Sequence, residues 1–273
     1  MSARPNGWSC RVARQPRGSA RGLQHSTPSH LPPYHSVMTT TPAHDIARRL
    51  AAVRQRIRTA EASYGRQPGS VALLAVSKRQ PVEALRAALA EGQQAFGENY
   101  LQEGAEKREA LADTPIEWHF VGAIQSNKTR AVAEGFDWVH TVDRLKIARR
   151  LSEQRPADRP PLQCCLQVNV SGEASKSGAG PEQVQELAHA IAELPHLTLR
   201  GLMTLPEAVT DFDAQRAAFR QLRELQAGLV DGGLRLDTLS MGMSNDLEAA
   251  VAEGATMVRL GTAVFGPRPE KTP

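Results

Sequence analysis

The sequence lacks any apolar run long enough to cross a membrane, and its start carries no apolar core of the kind a secretory signal needs. Cysteine is scarce: Cys10, and the adjacent pair Cys164-Cys165. Neighbours on a strand point to opposite faces, so that pair suits neither a metal site nor an ordinary disulfide. Both read as core residues of a cytoplasmic protein, where thiols stay reduced. No G-x-G-x-x-G turn follows the first apolar segment, which removes the usual dinucleotide site. No linker rich in glycine, serine or proline divides the chain, and no internal repeat runs through it.

Acidic residues are absent before Asp45, while five arginines (Arg4, Arg11, Arg14, Arg17, Arg21) lie there. The formal charge of +4 therefore comes from one end. Without those five, 28 basic side chains face 29 acidic ones, a net of −1. A nearly neutral body offers no broad basic field, which argues against nucleic acid as a partner. The stretch to about Thr40 is rich in Arg, Ser, Pro and His, lacks hydrophobic periodicity, and is expected to be disordered. It superficially matches an organelle transit peptide. The preferred reading takes Met38 as the real start, because Met38-Thr39-Thr40-Thr41-Pro42 leads straight into a helix. The expected division is a tail over 1–40 and one domain over 41–273.

What the rest contains is alternation. Hydrophobic content of 41% with 23% charged residues is that of a soluble globular protein. Thr41 as N-cap and Pro42 at the first helical position open a helix with Ile46, Leu50, Val53 and Ile57 on one stripe. Strand patterns follow near 71–77, 94–97, 118–122, 137–141, 162–169, 198–204, 236–241 and 256–260. Helical stripes lie between them: Val82, Leu85 and Leu89; Val184, Leu187, Ala188 and Ile191; Phe212, Phe219, Leu222 and Leu229. Gly180-Pro181 and Ser244 read as helix starts. Eight such steps in roughly 230 residues predict a single (β/α)8 TIM barrel. Little chain remains for a helix after the eighth strand, so the N-terminal helix is expected to cover that place. An open doubly wound sheet is the alternative.

In such a barrel the active site sits at the C-terminal ends of the strands. Lys78 closes the first apolar run, Val71-Ala72-Leu73-Leu74-Ala75-Val76-Ser77-Lys78. A lysine at the mouth of a dry pocket can lose its proton and form a Schiff base with a carbonyl. The bland alternative is a lysine that marks where a strand meets water. Gly97-Glu98-Asn99-Tyr100 ends the second strand, Asn169 and Ser171 the fifth, and Met203-Thr204 the sixth. Ser240-Met241-Gly242-Met243-Ser244 ends the seventh and Arg259-Leu260-Gly261-Thr262 the eighth. Barrels often hold phosphate after these last two strands. Gly242 and Gly261 let backbone approach an anion, Ser244 and Thr262 add hydroxyls, and Arg259 adds a cation. Alternatively, Ser244 caps a helix beginning near Asn245 and Gly261 is a turn.

A Schiff-base lysine opposite a phosphate cup describes a pyridoxal 5′-phosphate (PLP) site. Five segments then resemble the pyridoxal phosphate homeostasis protein family (YggS/PROSC). They are Ala75-Val76-Ser77-Lys78; Phe96-Gly97-Glu98-Asn99-Tyr100; His119-Phe120-Val121-Gly122 with Gln125-Ser126-Asn127-Lys128; Ser240-Met241-Gly242-Met243-Ser244; and Arg259-Leu260-Gly261-Thr262 with Phe265-Gly266. The resemblance runs from about residue 43 to about residue 268. It implies a fold-type III PLP barrel, with the cofactor on Lys78 as an internal aldimine. It implies Ser244, Gly261 and Thr262 around the phosphate, and Arg259 on either the phosphate or the pyridine nitrogen. Asn99, His119, Met203 and Ser240 complete the implied cofactor-binding set. His119 has a second reading as a satisfied core histidine. Lys176 reads either as a second amine near the pocket or as a solvated loop lysine.

The resemblance implies a PLP carrier that serves intracellular homeostasis and can hand the cofactor to apo-enzymes, with no membrane partner. A racemase of the alanine racemase type is the alternative. Two-base racemisation needs an acid/base on each face of the substrate. In alanine racemases the second is a tyrosine from a further domain of the partner subunit. Here the chain stops after strand eight, and Tyr100 alone among Tyr34, Tyr64 and Tyr100 lies near a strand end, turned toward a helix start. The expectation is a monomeric carrier without efficient turnover. A Schiff-base aldolase acting on a sugar phosphate is the third reading, with Glu98 as the candidate acid/base; the alternative for Glu98 is a structural carboxylate.

Overall fold

Burial follows the apolar stripes. The computed structural model describes residues 42–172 and 177–267, all within one compact unit. The tail to Thr40, with Cys10 and Met38, the expected N-cap Thr41, and Lys176 lie outside the described residues. Helix α1 (Pro42–Ser63) buries Ile46, Leu50, Val53, Ile57 and Ala60 along one side. Then strand and helix alternate: β1 (Ala72–Val76), α2 (Val82–Ala90), β2 (Ala95–Glu98), α3 (Leu101–Ala110), β3 (Glu117–Phe120), α4 (Thr129–Gly135), β4 (Trp138–Val142) and α5 (Leu145–Gln154). The second half adds β5 (Leu162–Gln167), α6 (Val184–Ala192), β6 (Leu197–Met203), α7 (Phe212–Asp231), β7 (Thr238–Ser240), α8 (Leu247–Ala252), β8 (Met257–Leu260) and α9 (Thr262–Phe265).

The strands are parallel, each pairs with the next, and β8 pairs with β1 through Ala72↔Met257 to Ala75↔Leu260. The sheet is therefore closed, and the open doubly wound alternative is excluded. The helix after β8 has only four residues, and α1 packs against α2, α8 and α9, covering that side of the barrel as expected.

Strand alternation sorts the side chains into two layers. Cys164 joins the large apolar layer between strands and helices, whereas Cys165 faces the barrel axis with Trp138 and Met203. Both thiols are free and fully buried. Burial pushes both up, Cys165 to about 12. Gly180-Pro181 opens a short 3₁₀ turn (Pro181–Gln183) ahead of α6, and Asp211 caps α7 by accepting the Ala214 N–H at 2.8 Å. Two expectations fail locally. Phe212 was placed on the apolar stripe of α7 but is 38% exposed, stacked on Tyr64. Ser244 does not cap a helix, because α8 starts at Leu247 after a turn in which Asp246 Oδ1 accepts the Met243 N–H at 2.5 Å.

Candidate functional site

A cavity of about 590 Å³ opens at the C-terminal ends of the strands. Its wall contains Lys78, Asn99, Met203, Ser244, Arg259, Gly261 and Thr262. Seven of the nine residues expected from the sequence are thus brought together. His119 and Ser240 are not in the wall; both are fully buried below it, inside the barrel.

Lys78 sits two residues beyond β1, on the same face as Val76, which also lines the cavity. Both residues beside it are tied to one buried cluster. Ser77 Oγ donates to Glu98 Oε1 at 2.6 Å, and the Arg79 N–H donates to Glu103 Oε1. Lys107 Nζ donates to the Ser77 carbonyl, Glu98 Oε1 and Glu103 Oε1 at 2.6–2.7 Å. Arg79 has φ of 60°, a left-handed conformation that a non-glycine residue holds only when its surroundings impose it. Glu98 belongs to this support. It alternates with the inward-facing Gly97 and Asn99, so its side chain points at α3 and away from the cavity. Burial pushes its carboxyl upward, and the Lys107 charge opposes that. The aldolase reading loses its acid/base here.

The facing wall is made by the loops after β7 and β8. Gly242 has φ of 95°, and a Cβ there would come within 2.6 Å of Ala250 Cβ, so the turn into α8 requires glycine. The Ser244 carbonyl accepts from Arg56 Nη1 at 2.7 Å, while Arg56 also grips Glu248 with two contacts of 2.6 Å. Helix α1 therefore fixes the loop that carries Ser244. On the third side, a Cβ at Gly122 would lie 2.1 Å from the Asn99 carbonyl, so only glycine lets the loop after β3 pass against Asn99.

Arg259 forms the floor. It is 5% exposed and donates to Ser240 Oγ and to the Thr204 carbonyl, each at 2.8 Å. Among the described residues no carboxylate forms an ion pair with it. Burial pulls its pKa down to about 10, and Asp246 acts in the opposite direction. A buried cation that meets only neutral oxygens is costly, so the cavity suits an electron-rich or anionic ligand. Asn99 Oδ1 is likewise buried without a hydrogen-bond partner. With either amide orientation, Asn99 offers an unmet polar group to a ligand. A ligand with a carbonyl and an electron-rich or anionic group matches the amine of Lys78, the donors of Arg259 and the hydroxyls of Ser244 and Thr262.

Sequence reasoning missed Lys107, Glu103, Arg56 and the wall residues Asp246, Leu205, Pro206 and Ala208 to Thr210. The Glu103–Lys107 spacing of four was a visible signal. The long connection between β6 and α7 was another, since most βα loops are shorter. Nothing in the sequence tied Arg56 to Ser244. Tyr100 does not line the cavity; it is 48% exposed, with Arg79 5.9 Å from its ring. Asn169 and Ser171 are also outside the wall. Among the described residues, no group of three metal-ligating side chains comes together.

Residues 49–269 match the family model for the alanine racemase N-terminal domain. The chain is 62% identical over 223 residues to the pyridoxal phosphate homeostasis protein of Pseudomonas aeruginosa, covering 82% of this chain and 96% of that one. The structure of PipY from Synechococcus elongatus with PLP bound matches with a TM-score of 0.72 at 40% identity, over 81% of this chain and 100% of that one. Alanine racemase from Corynebacterium glutamicum shares the fold at a TM-score of 0.59 and 20% identity, over 82% of this chain and 63% of that one.

Proposed function

The chain belongs to the pyridoxal phosphate homeostasis protein family, and from that premise we propose that it binds PLP for intracellular PLP homeostasis, holding it as a Schiff base on Lys78 without efficient turnover. The observation that carries this reading is one cavity shared by Lys78, the uncompensated cation Arg259 and the unsatisfied Asn99 Oδ1.

When bound, PLP supplies a carbonyl that condenses with an amine and a ring that can accept electrons. In this reading Lys78 provides the amine, held in place through Ser77 and Arg79. Ser244, Gly261 and Thr262 face the phosphate, and Asn99 and Met203 complete the pocket. Arg259 lies two residues before Gly261 on β8, deeper in the barrel, which favours the ring end over the phosphate end. An arginine donates hydrogen bonds but gives up no proton. At a ring nitrogen it leaves that nitrogen unprotonated, which weakens the ring as an electron sink and supports holding over turnover. The described wall contains no tyrosine, histidine or cysteine that could serve as a second base opposite Lys78. Asp246 is in the wall, with one oxygen engaged by the Met243 N–H. Ser240 and His119 act beneath the floor. The same reading makes apo-enzymes that need PLP the recipients, and the cytoplasm the place of action.

Absorption spectroscopy with a racemisation assay tests this. The protein mixed with PLP is expected to develop a visible band that Lys78→Ala lacks, with no amino-acid racemisation above background. A wild-type protein that stays colourless and binds no PLP contradicts the reading. So does a racemisation rate that Lys78→Ala abolishes.

A further inference from the structure

Five polar side chains form an unbroken row through the barrel interior. Glu117 Oε1 lies 2.7 Å from His119 Nε2, His119 Nδ1 lies 2.9 Å from His140 Nε2, and His140 Nδ1 lies 2.8 Å from Ser240 Oγ. Ser240 Oγ accepts from Arg259 Nη1, whose other arm holds the Thr204 carbonyl. His119, His140 and Ser240 have no exposure. Arg259 reaches the cavity at one end, and the Glu117 side chain, 51% exposed, meets solvent at the N-terminal end of β3.

The chemistry of the donors gives this row a direction. Arginine only donates, so Ser240 Oγ is an acceptor toward it and has one proton left to give. A carboxylate only accepts, so His119 Nε2 carries a proton and His119 Nδ1 does not. His140 Nε2 then donates to His119 Nδ1, and His140 Nδ1 accepts the Ser240 hydroxyl. Every proton has one place. A hydroxyl that donates becomes a better acceptor, so each link strengthens the next.

We infer that Glu117, His119, His140 and Ser240 are positioning residues that act through the barrel on Arg259, with Glu117 setting the tautomers of both histidines and the orientation of the Ser240 hydroxyl. The charged and titratable neighbours are consistent with this state. Glu117 faces His119 and Arg200 and is held below its usual range, first by the hydrogen bond from His119. His119 faces Glu117, Asp137 and His140, and burial lowers it. His140 faces His119 and Arg259, and burial places it well below 6.5. Arg259 faces Asp246 and Cys165 as well as His140. Both histidines are thus neutral and Glu117 is ionised at neutral pH.

The inference rests on the PLP reading only for its effect on the cofactor, so two measurements separate the two. In ¹⁵N-histidine-labelled wild-type protein without PLP, long-range proton–nitrogen spectra report tautomers directly. Both slowly exchanging, buried histidines are expected in the Nε2–H form between pH 6 and 8. An Nδ1–H form or an imidazolium at either one overturns the assigned direction. In PLP-loaded protein, Glu117→Ala is expected to shift the pH midpoint of the visible band and to weaken binding by about three- to tenfold, the net worth of one ordinary hydrogen bond. Glu117→Gln, which keeps an acceptor, is expected to restore part of both. If wild type binds PLP and Glu117→Ala, folded by its circular dichroism, titrates and binds like wild type, the inference fails while the PLP reading stands. If wild type binds no PLP, the PLP reading fails, and the tautomers still decide the direction of the row.

Discussion

At the residue scale, Lys78, the proposed Schiff-base lysine, is placed by what flanks it. Lys78 lies outside regular structure, yet Ser77 and Arg79 are both anchored to Glu98, Glu103 and Lys107. The Lys107–Glu98 pair is nearly fully buried, with side-chain exposures of 5% and 0%. Glu98 Oε2 has no hydrogen-bond partner even with Lys107 present. Removing one partner of a buried pair leaves an uncompensated charge and costs about 3–5 kcal/mol. Lys107→Met is therefore expected to lower urea stability by several kcal/mol, with Lys107→Met/Glu98→Gln recovering part of the loss. Unfolding of Lys107→Met at the wild-type urea midpoint contradicts this. Lys78, Asn99, Met203, Ser244, Arg259, Gly261 and Thr262 were legible because each stands at a strand end, where strand order alone brings side chains together. Glu98 had two readings because its neighbours in sequence do face the cavity; the strand's alternation turns it outward and decides for the structural one. His119 and Ser240 were legible as strand residues, but their place beneath the floor depends on partners from β3, β4, β7 and β8.

At the element scale, α1 both covers the barrel and serves the site. Its Arg56 joins Glu248 of α8 to the Ser244 carbonyl. The hydrogen bond from Arg56 holds Glu248 below the usual carboxylate range. This contribution is present above the ordinary Glu pKa of 4.5 and is lost as the pH falls through the lower folded value. The two side chains are 36% and 42% exposed, so as a surface pair they add only about 1 kcal/mol or less to stability. Its larger effect is on the loop. Arg56→Ala is expected to lower PLP affinity several-fold with little change in melting temperature, and Arg56→Lys is not expected to restore it, because an ammonium cannot make the same forked contact. Unchanged affinity in Arg56→Ala, read by absorbance titration, contradicts a role for α1 in the site. The strands were readable as apolar runs, and α1, α2, α6 and α7 as stripes. Helix α3 showed no stripe, because its buried residues are Gly104 and Lys107, which serve Glu98 and Phe136 instead of an apolar layer. Ser244 looked like a helix start because its hydroxyl has capping chemistry, but the Gly242 turn and the Asp246 contact delay α8 by two residues.

At the scale of the whole molecule, closing β8 onto β1 places Lys78 next to the loop that holds Gly261 and Thr262. That closure makes a strand-end lysine and a distant glycine turn into one site. It was legible from the eightfold alternation. The row from Glu117 to Arg259 was not, because side chains from four strands meet only once the barrel is closed. Barrel and cavity together support the proposal that Lys78 holds PLP. The most direct measurement is borohydride reduction of the PLP-loaded protein followed by peptide mass mapping, beside Lys78→Ala. The account predicts a single reduced pyridoxyl group on the peptide containing Lys78, and its loss in the variant. A group fixed on another lysine in wild type, or an equal yield in Lys78→Ala, would contradict it.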